Sequence, residues 1–127
     1  MRREFDLGPE DVRALEALGR SWETVCLAGV RWLFIQRYPV PPGFNHAEVT
    51  LALRLDTYPG GLIDMAYFHP PLARMDGKVV NNLSTLAIGT RTFQQWSRHY
   101  GWKEGVDSLA RHLRRVRSWL THEFRKR

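Results

Sequence analysis

Tyr58-Pro59-Gly60-Gly61-Leu62-Ile63-Asp64-Met65-Ala66-Tyr67-Phe68-His69-Pro70-Pro71 is the stretch that decides how this chain folds. Tyr58 to Gly61 reads as a turn, Ile63 to Phe68 as a strand, and Pro70-Pro71 as its end, because proline brings no N–H to a ladder. Just upstream, Val49, Leu51, Leu53 and Leu55 alternate with Glu48, Thr50, Ala52 and Arg54. That period of two predicts a half-buried strand. Two strands joined by a tight turn predict an antiparallel meander.

Further upstream, Thr24 to Tyr38 is rich in Val, Trp, Phe and Ile and predicts a strand, or a pair bent around Gly29. Tyr38-Pro39-Val40-Pro41-Pro42-Gly43 reads as a turn or polyproline segment in which no ladder forms. Residues 9–18 predict a short helix. Pro9 suits its first turn, Glu10 and Asp11 complement its N-terminus, Val12, Leu15 and Leu18 share a face, and Gly19 stops it.

Downstream, residues 72–101 hold Gly77, Gly89, Gly101 and the pair Asn81-Asn82, with no sustained period. They read as a long loop with one helical turn around Phe93-Gln94-Gln95-Trp96, and such loops are often functional. From Asp107, placed as the cap, Leu109, Leu113, Val116 and Leu120 form an apolar stripe that Trp119 widens, which predicts a C-terminal helix.

The totals bound the class. At 127 residues the chain fits one domain, 1–127, and 43% hydrophobic residues with five Trp argue against disorder. No apolar run is long enough to cross a bilayer. Met1 to Asp6 is charged and leads into no apolar segment, so it does not read as a secretory signal. A single Cys excludes an internal disulfide framework and fits a reducing compartment, so the expected location is cytoplasmic. The formal net charge of +6 is local. Seven Lys and Arg against Glu123 lie within residues 111–127, Lys126 and Arg127 among them, and the rest of the chain is balanced. A solvated helix face or an acidic protein partner explains this better than nucleic-acid binding.

Motifs within and around the deciding stretch carry a resemblance. Tyr58-Pro59, a strand, His69-Pro70, Gly77 and then Trp102 five residues before Asp107 follow the order found in ubiquitin-conjugating (UBC) enzymes. More closely, Tyr38 to His46, Ile63-Asp64-Met65, Asp76-Gly77-Lys78, Leu83-Ser84, Gln95-Trp96-Ser97-Arg98-His99 and Trp102 to Asp107 resemble the bacterial UBC-like group called prokaryotic family E. The resemblance covers roughly residues 9–120. It implies an α+β UBC-like fold with an N-terminal helix, an antiparallel meander, a long active-site loop and a C-terminal helix. It also implies an adenylating activating enzyme, a ubiquitin-like protein and a deconjugating peptidase as partners, and a setting in antiphage defence. No cofactor, metal or membrane is implied.

Two departures bear on mechanism. The catalytic Cys of those enzymes lies three residues past the Gly, where this chain has Val80, and the Asn of their His-Pro-Asn corner is replaced by Pro71. Cys26 lies far upstream in an apolar segment and reads as a core residue. The alternative nucleophile is a hydroxyl carrying an oxyester. Ser84 is the first candidate, Thr85 the second, and Ser97 a further one within Trp96-Ser97-Arg98-His99. A serine needs a base. His99 and His69 are the histidines in range, although His69 in the resembling enzymes is largely structural. Asn81 or Asn82 is a candidate oxyanion donor, a role worth about 3–4 kcal/mol when well placed. Ser84 has a duller reading as a turn cap, and for His99 structural and functional roles stay equally open. The alternative function is a catalytically inactive UBC variant, an adaptor that binds the ubiquitin-like protein or its activating enzyme.

Overall fold

The computed structural model describes residues 2–125, so Met1 and the Lys126-Arg127 end of the basic tail lie outside the described residues. Helix α1 (Pro9–Leu18) starts at Pro9 with Glu10 and Asp11 in its first turn and ends at Gly19, whose φ of 69° is left-handed. Six strands follow: β1 (Trp22–Leu27), β2 (Val30–Pro39), β3 (Glu48–Arg54), β4 (Ala66–His69), β5 (Leu83–Ile88) and β6 (Arg91–Trp96). Helix α2 (Leu109–His122) closes the chain. The class is α+β, with one antiparallel sheet in the order β1-β2-β3-β4-β6-β5. Among the described residues, no helix is long and apolar enough to cross a membrane.

The first four strands form the expected meander, with Ala28 and Gly29 both at positive φ in the β1–β2 turn. Four details differ from the sequence reading. The ladder runs through Tyr38 and Pro39, which face Val49 and Glu48. The Val40 N–H donates to Ala47 O, so Pro39 sits in the intervening pair and its missing N–H points to the side where β1 has already ended. A bulge at Gln36-Arg37 sets this register, with Arg37 at φ 53°. Strand β4 begins at Ala66 rather than Ile63, because Met65 at φ 60° interrupts extended geometry. Ser108, not Asp107, caps α2 by accepting from the Arg111 N–H.

The largest correction concerns residues 72–101. The expected long loop with a helical turn at 93–96 is instead a hairpin, β5–β6, turning at Gly89-Thr90. Its second strand inserts beside β4, which leaves β5 at the edge. Only 72–82 and 97–108 remain irregular. Trp96 packs into the helix-side core with Leu15, Leu33, Leu51, Phe68, Leu109 and Val116, whereas Phe93 packs into a second core on the other face with Val25, Trp32, Phe34 and Tyr67. With both faces of β6 buried, no polar alternation marks it as a strand. The sheet curls over the second core until a Cβ placed on Gly89 would lie 3.5 Å from Leu27 Cδ1. Cys26, read as a core residue, is exposed instead. It lies on edge strand β1, where its N–H donates to the Glu4 carboxylate.

Candidate functional site

The apolar stripe of α2 contains one polar residue, His112, which is fully buried among Leu109, Leu113 and Val116. Its partners fix its tautomer. The Met65 carbonyl only accepts, so Nε2–H donates to it at 2.8 Å, and Nδ1 accepts from the Tyr100 hydroxyl at 2.8 Å. Trp119 lies edge-on to the ring at 5.6 Å. Burial lowers the imidazole pKa to about 4, so the ring is neutral at pH 7. The sign of the linkage follows. Between about pH 6.5 and 4 the unfolded chain binds a proton that the folded one does not, so stability falls as pH drops through that window, by about 3 kcal/mol. Urea titrations at successive pH values check this. In His112→Gln that contribution to the slope should vanish, and an equal slope in both proteins would contradict it.

His112 anchors the carbonyl of Met65, and the residue before Met65 is Asp64. One Asp64 oxygen accepts from the Met65 N–H at 3.0 Å, and the other meets His99 Nδ1 at 2.8 Å. A carboxylate accepts, so Nδ1 carries a proton, and in the neutral ring Nε2 is then the acceptor. The His99 side chain is 65% exposed, so the ring is open to an incoming group. On the α2 side, Arg115 covers the Tyr100 ring at 3.6 Å and bonds Asp107 at 2.8 Å. The Lys103 N–H, then Arg115, hold the Asp107 carboxyl below its ordinary pKa. Tyr58 completes the frame: its hydroxyl donates to Asp11 of α1 and accepts from the Leu109 N–H of α2.

The chain leaving β6 runs past this carboxylate. Side chains alternate along a strand. Gln95 reaches Met65 Sδ at 3.3 Å and His99 reaches Asp64 at 2.8 Å, and Ser97 lies between them in the chain, just past the end of β6. Arg98 takes the other side, over Trp96, with its guanidinium on Asn81 O. The Ser97 N–H donates to the backbone oxygen of Asn82, a non-glycine residue at φ 60°. One corner therefore gathers Asp64, Asn82, Ser97 and His99.

The other sequence candidates stand apart from it. His69 lies at the far end of β4, roughly 10 Å away along the strand, with Nδ1 on Thr92 O. Ser84 faces Gln95 from β5, one strand further out, and is exposed. Thr85 lines a concavity of about 210 Å³ together with Pro71, Thr92 and Gln94. Among the described residues, no hydrogen bond joins the hydroxyl of Ser84, Thr85 or Ser97 to a histidine. Val80 is buried at the place where the cysteine was expected. No group of three or more His, Cys, Asp or Glu suited to a metal occurs among the described residues.

Sequence reasoning gave no role to Asp64, Tyr100, His112 or Arg115, and made Asp107 only a helix cap. Two signals were present. Asp64 is the lone carboxylate in an apolar run, and His112 falls three residues after Leu109 on an otherwise apolar helix face.

Over residues 7–123 the chain matches the family model described as prokaryotic E2 family E. No curated protein and no solved structure matches it.

Proposed function

The chain belongs to prokaryotic E2 family E, and from that premise we propose that it carries the C-terminal acyl group of a ubiquitin-like protein as an oxyester on Ser97. Membership in the family implies a role in ubiquitin-like conjugation and contact, in general terms, with a ubiquitin-like protein and an activating enzyme. The finer reading is a single UBC-fold domain that accepts the acyl group from an adenylating enzyme and passes it to an amine. A deconjugating peptidase in the same pathway and a setting in antiphage defence rest on the motif resemblance alone.

The observation that carries the reading is the Asp64–His99 pair at 2.8 Å, with His99 exposed and Ser97 two residues before it. Ser97 Oγ attacks the carbonyl carbon of the activated C-terminus, and its proton passes to His99 Nε2. Asp64 holds the ring in the required tautomer and stabilises the imidazolium. The activating enzyme's leaving group departs with the proton from His99, so the oxyester remains beside a neutral imidazole. In the second half the acceptor amine attacks the ester, its proton goes to His99, and Ser97 is reprotonated as it leaves. Asn82, whose backbone oxygen binds the Ser97 N–H, is the candidate whose side-chain amide would donate to the developing oxyanion. Ser97 replaces Ser84 as first choice because it lies two residues before His99 on the chain that leaves β6, whereas Ser84 lies on the outer strand β5, and a hydroxyl needs a base to act at neutral pH. Ser84 and Thr85 rank next.

The experiment combines the protein with its cognate activating enzyme, the ubiquitin-like protein and ATP. The expected product is a covalent adduct that survives thiol reductant and is cleaved by hydroxylamine or base. An adduct destroyed by reductant and lost in Cys26→Ala would move the chemistry to the exposed thiol. If no adduct forms although the activating enzyme is charged, the protein is a non-catalytic adaptor.

A further inference from the structure

The two edges of the sheet are treated differently. Edge strand β1 is covered by the N-terminal segment: the Glu4 N–H donates to Thr24 O, the Thr24 N–H donates to Arg2 O, and Arg2, Arg3 and Glu4 place charge along it. Edge strand β5, Leu83-Ser84-Thr85-Leu86-Ala87-Ile88, has neither charge nor proline, and it pairs only with β6. Charges, prolines and bulges are the usual protections of an open edge, and β5 has none of the three.

The ladder shows which groups are open. The Ser97 N–H bonds Asn82 O, so in the alternation of an antiparallel pair Ser84, Leu86 and Ile88 face β6. Leu83, Thr85 and Ala87 turn their N–H and C=O outward, and none of the three has a backbone partner there among the described residues. The concavity lined by Pro71, Leu83 and Thr85 lies along the same strand, and its 210 Å³ is room for one side chain of a neighbouring strand.

We propose that the β5 edge binds the extended C-terminal tail of the ubiquitin-like protein as a seventh, antiparallel strand. This rests on the acyl-transfer reading and adds to it how the donor is placed. Direction is the argument for this occupant. A strand antiparallel to β5 runs from Ile88 toward Leu83, so its C-terminus leaves the sheet beside Asn82, whose backbone oxygen binds the Ser97 N–H. The added strand lies two strand spacings from β6, roughly 10 Å, which three extended residues span.

Hydrogen exchange on this protein, alone and with the whole or tail-truncated ubiquitin-like protein, tests the docking. Protection of the Leu83, Thr85 and Ala87 amides is expected with the whole partner and not with the truncated one. Thr85→Pro removes an outward N–H and leaves the β5–β6 ladder intact, so it should weaken binding about tenfold while thermal unfolding confirms the fold. Protection that ignores the tail, binding unchanged in Thr85→Pro, or protection that appears without partner as concentration rises (two copies pairing through β5) would each overturn the proposal. The covalent adduct is measured in parallel. An adduct without β5 protection sinks the docking alone, and tail-dependent protection without an adduct sinks the acyl-transfer reading alone.

Discussion

Trp96→Ala is expected to lower the unfolding free energy by about 3–5 kcal/mol, the range for emptying a large aromatic site in a packed core. Trp96 is fully buried and heads the largest such side chains of the fold. Its ring meets Phe68 edge-on at 5.5 Å and Phe44 at 6.1 Å, and the Arg98 guanidinium lies 4.9 Å over it. Its Nε1–H donates to Gln94 Oε1 at 2.8 Å, and that same oxygen also accepts from the Leu72 N–H. Trp96→Phe should therefore cost less, since Gln94 keeps one donor and much of the ring volume remains. Urea denaturation followed by circular dichroism measures both variants. A loss below about 1 kcal/mol for the alanine variant would mean that β6 is not the packed hinge between the two cores.

His99→Ala should slow acyl transfer by about 10²–10⁴-fold, the range for removing a positioned acid–base group. Its ring is mostly exposed and its one recorded bond is to a partly exposed carboxylate, so stability should change little. That split separates the two roles left open by the sequence. A structural histidine would cost stability and leave the rate alone, whereas a base costs rate and leaves stability alone. Asp64→Asn belongs in the same experiment. Its amide can turn an N–H toward Nδ1 and favour the tautomer in which Nε2 carries the proton, so it should lower the rate without unfolding the protein. Single-turnover rates at saturating activating enzyme, set beside denaturation midpoints, decide both variants. Wild-type rates in His99→Ala would remove the dyad from the mechanism.

How much of this was legible depended on where the large apolar side chains of an element fall. Helix α2 keeps them on one stripe, and β3, although both of its faces are buried, sends Val49, Leu51 and Leu53 to one side and only Thr50 and Ala52 to the other, so the periods of 3.6 and two survived in the sequence. Strand β6 sends Phe93 and Trp96 into different cores, so its period disappeared and a strand was read as a helical turn. Cys26 failed in the opposite direction. An apolar sequence neighbourhood reads as core, yet Cys26 lies near the end of edge strand β1, past the short backbone cover at Thr24, and the thiol is exposed.

The site was half legible. Ser97 and His99 were named because serine and histidine carry recognisable chemistry, but their ranking below Ser84 came from distance along the chain. The proposal ranks Ser97 first instead, because insertion of β6 beside β4 brings Gln95 and His99 against Met65 and Asp64 and leaves Ser84 on the outer strand. Asp64 is 35 residues from its histidine, and no spacing rule links the two.

The central claim is that the corner of Asp64, Ser97 and His99 holds the acyl group. Proteolysis of the trapped adduct under mildly acidic conditions, followed by tandem mass spectrometry, tests it most directly by locating the modified residue. The account predicts the remnant of the ubiquitin-like C-terminus on Ser97, and no adduct in Ser97→Ala. A remnant on Ser84, Thr85 or Cys26, with Ser97→Ala charging normally, would contradict it.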